Sequence, residues 1–147
     1  MRRTDAALTH VAVALAAGTG FAYGWMLYCA EPADEFALVN HPWQPALHLL
    51  HVVTVPLFVF ALGLLWPTHI LPKLRSGARA RRRSGICVMA LAVPMIASGY
   101  AVQVSVAVEC RTAWAWVHGV TSVLFTLVFV VHLAVRVGSR PTAAEPG

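Results

Sequence analysis

Residues 114–136 read W-A-W-V-H-G-V-T-S-V-L-F-T-L-V-F-V-V-H-L-A-V-R, an almost wholly apolar run that carries two histidines, His118 and His132. They lie fourteen residues apart. In an α-helix that separation rises about 21 Å and turns just under four full turns, so both rings leave roughly one face. The run is long enough to cross a bilayer core about 30 Å thick. An ionisable side chain inside such a span is costly and marks a functional site by default.

The rest of the chain has the same character. Of its 147 residues, 59% are hydrophobic and 12% charged, against about 25% charged in soluble domains. Four apolar runs, 6–29, 43–67, 84–108 and 114–136, are each long enough for a spanning helix. They predict an all-α integral membrane protein, a single four-helix transmembrane bundle over residues 1–147 with no room for a soluble catalytic domain. Met1-Arg2-Arg3 resembles the basic start of a signal peptide. The apolar stretch behind it exceeds the usual 7–15 residues and no clear A-x-A site follows, so the first run reads as a retained helix.

The formal net charge of +5 does not point to nucleic acid. Ten of the eleven basic residues fall at the N-terminal tip, in 73–83 and in 136–140, the exception being Arg111. With four spans these three segments share one side, which the positive-inside rule makes cytoplasmic, with both termini inside. Glu31, Asp34, Glu35 and Glu109 fall on the other side. The basic loop also suits anionic lipid, and Arg81–Arg83 lie at the depth where the acidic groups of an inner ligand would sit.

Alternating helix directions assign a depth to each histidine. His10, one or two turns into the first helix after a Thr4-Asp5 cap, is inner. His48 and His51, at the start of the second helix, are outer. His118 is outer and His132 inner. His41, beside Pro42 and Trp43, reads as a solvated loop residue. His69 lies eighteen residues, five helical turns, after His51, but Pro67 intervenes and it reads first as interfacial. Pro56 should kink the second helix. Gly18, Gly20 and Gly24 clear one flank of the first helix, for close helix packing or for a flat macrocycle. The third helix, with Pro94 and Ser98-Gly99-Tyr100, has no histidine and is expected to pack beside the site.

Two imidazoles facing each other at one depth hold a haem, and the set supplies that twice. An inner b-type haem falls between His10 and His132, with His69 as the alternative to His10. An outer one falls between His118 and His51, with His48 as the alternative to His51. Imidazole suits iron, and two histidines per iron leave no open position, which suits electron transfer. The centres would stand about 20 Å apart. No C-x-x-C-H occurs, so covalent c-type attachment is disfavoured.

On these residues the chain resembles the four-helix di-haem bacterial cytochromes b, the membrane anchors of formate dehydrogenases and nickel hydrogenases and related quinone-linked cytochromes. The resemblance rests on His10 early in helix 1, a histidine at the outer start of helix 2, and H-G-x12-H from His118 to His132. It implies that helix 4 gives one ligand to each haem, helix 1 completing the inner and helix 2 the outer. L-L-H-V-V around His51 resembles the family's helix 2 motif, whereas the spacing from His48 to His69-x-x-Pro72 resembles the formate dehydrogenase anchor. The implied setting is a bacterial cytoplasmic membrane. The implied partners are a quinone or quinol, at His69 or the inner basic loop, and a redox protein or dehydrogenase subunit.

The rival reading is a small transporter of metal ions or protons, because His48-x-x-His51 shares a helical face and suits Zn²⁺ or Cu²⁺. Against it, none of the four runs contains Asp or Glu and the last shows no break in its backbone pattern. A third reading is a haem-free accessory subunit whose histidines only pack. Cys29 and Cys110 fall in the outer segments, where an oxidising compartment favours a bridge, and Cys87 is expected as a free thiol.

Overall fold

A computed structural model describes residues 3–76 and 82–138 of the chain. The side chains of Arg2, Arg79, Arg81, Arg82, Arg136 and Arg140, part of the basic segments above, lie outside the described residues. No strand occurs among the described residues, and four helical stretches are long and apolar enough to cross a membrane. The chain divides into two compact units, Met1–Ser76 and Gly77–Gly147.

The first unit is an antiparallel pair, α1 (Arg3–Tyr28) and α2 (Gln44–Leu65). α1 already includes Asp5, so the expected Thr4-Asp5 cap is not formed. Asp5 instead places its carboxylate in the first turn, against the positive end of the helix dipole, and its carbonyl accepts from the Thr9 hydroxyl (2.8 Å). The loop back to α2 is pinned by Asn40. Its side-chain amide donates to the Leu27 carbonyl (2.9 Å) and its backbone amide to Gln44 Oε1 (3.1 Å). His41 has a structural part in this turn. Its Nδ1 accepts from the Trp43 amide (3.1 Å), and its ring meets Trp25 edge-on at 6.5 Å.

α2 runs through Pro56. It also does not stop at Trp66-Pro67, which corrects the expected boundary. A π-turn over Trp66–Ile70 and a last turn, α3 (Leu71–Arg75), extend the helical stretch to Arg75. Pro67 has no N–H to continue the α pattern, and the Leu71 amide reaches five residues back to the Trp66 carbonyl. The wide turn breaks the 3.6-residue phase, so five α-turns from His51 do not describe the direction of His69.

The second unit pairs α4 (Arg82–Val104) with α5 (Val108–Gly138), also antiparallel. α5 starts six residues before the expected Trp114 and contains Cys110. Glu109 occupies its first turn, where a carboxylate favours initiation. Arg111, the basic residue outside the three basic segments, donates from Nε (3.2 Å) and Nη2 (3.0 Å) to the Ser105 carbonyl beyond the end of α4. Its charge therefore serves the α4–α5 turn.

Inside each pair the buried residues are mostly small or hydroxylated, with Val13, Phe58, Val88 and Phe125 the larger ones. Thr9, Ala12, Val13, Thr19, Thr54, Phe58 and Ala61 form one core, and Val88, Ala92, Ser98 and Phe125 the other. Small residues let backbones approach without a hydrophobic drive. Thr19, Ser98 and Thr126 each return a hydroxyl hydrogen to a carbonyl four residues back, which satisfies the polar groups within the helix. Large apolar side chains cover the outside instead: Val93 is 66% exposed and Leu127 59%. Apolar surface on this scale is unusual for a soluble monomer, and it fits contact with lipid.

The three cysteines, Cys29, Cys87 and Cys110, are all free and exposed. The Cys29–Cys110 bridge expected from the sequence is not formed. Cys110 lies in the first turn of α5 rather than in a loop.

Candidate functional site

Three histidines share one construction: each lies against a glycine of the antiparallel neighbour and sets Nδ1 against an oxygen of that helix. On α2, His51 meets Thr19-Gly20 of α1. On α5, His118 meets the Met95 carbonyl and Gly99 of α4, while His132 meets Ser84-Gly85. Gly85 and Gly99 are fourteen residues apart, like His132 and His118, so equal rises on antiparallel helices bring the two pairs into register. The histidine-free helix is therefore what seats both histidines of α5.

The glycines are needed for these approaches. A Cβ at Gly20 would stand 2.8 Å from His51 Cε1, and one at Gly99 3.1 Å from His118 Cε1; at Gly85 the distance to His132 Cε1 is 3.6 Å, ordinary contact. Nothing lies within 4 Å of a Cβ at Gly18 or Gly24. Of the small residues on that flank of α1, Gly20 is the one whose lack of a side chain admits an imidazole.

The hydrogen-bond partners favour a proton on Nδ1 at two of the rings. His118 Nδ1 is 2.8 Å from the Met95 carbonyl oxygen. A carbonyl only accepts, so Nδ1 carries the hydrogen and in the neutral ring the lone pair falls on Nε2. His51 Nδ1 is 3.2 Å from Thr19 Oγ1, whose own hydrogen goes to the Leu15 carbonyl at 2.7 Å. The hydroxyl oxygen is left to accept, Nδ1 donates, and Nε2 again holds the lone pair. At His132, Nδ1 is 2.9 Å from Ser84 Oγ, and either group can donate.

His48 is different. It is exposed, and its ring lies 4.9 Å from that of Tyr23 at 31°. His48 and His51 thus meet α1 at successive levels, Tyr23 and then Thr19-Gly20, as expected for two residues on one face. His10 is exposed on α1, and His69 is half-buried in the π-turn. Counting along α1, the level of His51 is about 14 Å from His10 and that of His48 about 20 Å, beside about 21 Å between His118 and His132 on α5.

The Ser/Thr-Gly steps and the Met95 carbonyl escape a reading built on histidines. The available signal was the repeat of Ser-Gly at 84–85 and 98–99, at the spacing of His118 and His132. Among the described residues no group of three or more His, Cys, Asp or Glu side chains comes together to hold a metal ion. A bis-histidine iron asks for two.

No protein family, curated protein or solved structure matches the chain.

Proposed function

We propose that the protein is a di-haem membrane cytochrome b that passes electrons across a bacterial cytoplasmic membrane between a quinone pool and a redox protein. The observation that carries this reading is the protonated Nδ1 of His51 and His118, each directed to an oxygen of the neighbouring helix. Histidines that ligate metal usually donate their other ring N–H in this way, which fixes the ring and makes the ligating nitrogen more basic. The donor set fits haem: neutral imidazoles suit iron, and a two-imidazole site favours electron transfer.

When bound, haem supplies a one-electron iron couple, and no side chain is asked to do covalent chemistry. The chain's own residues hold and orient. His118 and His132 give one ligand to each centre from a single unbroken helix, about 21 Å apart along its axis. His51 would complete the centre of His118 and His10 that of His132, pairings that rest on depth along the sequence alone. Level spacing alone favours His48 over His51. The hydrogen bond that holds its Nδ1 on Thr19 supports His51 as the ligand. The π-turn at His69, a feature frequent at functional sites, together with Lys73 and Arg75 nearby, is the place proposed for the quinone. Both termini are placed in the cytoplasm by the basic segments. The resemblance to quinone-linked di-haem cytochromes b points the same way.

A quinol added anaerobically to the protein in lipid vesicles should raise the α-band of reduced b-type haem. Haem that dithionite reduces and quinol does not would remove the quinone from this account.

A further inference from the structure

We infer that Thr19 is the positioning residue of His51: its hydroxyl oxygen holds the imidazole in the Nδ1–H tautomer and strengthens Nε2 as a ligand. The inference deepens the haem reading, and its first measurement does not depend on haem.

The argument rests on a directed relay. Thr19 is buried, 8% exposed, on the face of α1 turned to α2. Its hydrogen is committed to the Leu15 carbonyl at 2.7 Å, with the Ala16 carbonyl at 3.3 Å. Both are backbone groups of the same helix, so the direction is built into α1. With its hydrogen there, the hydroxyl oxygen is placed to accept from His51 Nδ1 at 3.2 Å. A donor that hands its hydrogen to a carbonyl becomes a better acceptor for the next bond. Gly20 beside it prevents the ring from being pushed away, since a Cβ there would stand 2.8 Å from Cε1. At His118 the same task falls to a backbone carbonyl, that of Met95. Of these two rings, His51 is therefore the one whose orienting oxygen a side-chain substitution can remove.

Thr19→Val keeps the shape and deletes the oxygen; Thr19→Ser restores it. In full-length haem-free protein labelled with ¹⁵N-histidine, the ring shifts of His51 (assigned by their loss in His51→Gln) should report Nδ1–H in the wild type. They should move toward the Nε2–H form in Thr19→Val and return in Thr19→Ser. In haem-loaded protein, Thr19→Val should raise the midpoint potential of one centre and leave the other in place. A loss of second-shell support of about tenfold corresponds to about 59 mV for a one-electron couple. A tautomer unchanged in Thr19→Val overturns the inference whatever the haem content, and so do two unmoved potentials. A tautomer that shifts in protein unable to take up haem would uphold Thr19 and sink the electron-transfer reading instead.

Discussion

Replacing His118 by Ala is expected to lower the haem content from two per chain to one, and replacing His132 by Ala to do the same while leaving the other spectral component. The two histidines sit fourteen residues apart on α5, about 21 Å along the axis, and use different seats on α4. His118 donates to the Met95 carbonyl, whereas His132 meets Ser84. Sites separated by more than about 10 Å with no shared partner behave independently, so each loss should be confined to its own centre. His118→Ala also leaves the Met95 carbonyl without one of its donors. Ser98 Oγ still reaches that carbonyl at 3.1 Å, which keeps the cost to α4 to about 1 kcal/mol. Pyridine haemochrome quantification and the reduced α-band read the result, and either variant retaining both haems contradicts the ligand assignment.

Gly20→Ala is expected to be as damaging as the loss of a ligand, although alanine is the better helix former by about 1 kcal/mol. The added Cβ would stand 2.8 Å from His51 Cε1 and 3.2 Å from Nδ1. The ring has to leave Thr19, and overpacking of this kind costs about 1–3 kcal/mol. The expected outcome is one haem per chain and a lower thermal midpoint in detergent. Gly18→Ala and Gly24→Ala meet nothing within 4 Å and should keep both haems, with the midpoint unchanged or raised. The series is graded: Gly99, with His118 Cε1 at 3.1 Å, should be intermediate, and Gly85, at 3.6 Å, tolerant. Gly20→Ala with two haems and an unchanged midpoint would show that the close approach is not needed.

The helices were legible because apolar length is a strong signal, and the pairing of His118 with His132 because a fourteen-residue spacing has one meaning on a helix. Helix ends were less so. Pro67 looks like a stop, yet a π-turn carries the chain past it because the Leu71 amide can reach Trp66. Trp114 looks like the start of the last helix, yet Glu109 and Arg111 organise the turn six residues earlier. The importance of the third helix was hidden for another reason. Ser-Gly is a common dipeptide, and its meaning at 84–85 and 98–99 emerges only when antiparallel packing sets it opposite the histidines. The choice between His48 and His51 depends on the phase of α2 against α1. Spacing within α2 alone does not contain it.

The central claim is that this chain holds two bis-histidine haems. The most direct measurement is a dithionite-reduced minus oxidised spectrum of the purified protein, produced with ample haem, alongside haem quantification per chain. The account predicts a b-type α-band and two haems. No haem under these conditions would contradict it and turn attention to His48 and His51 as a metal or proton site.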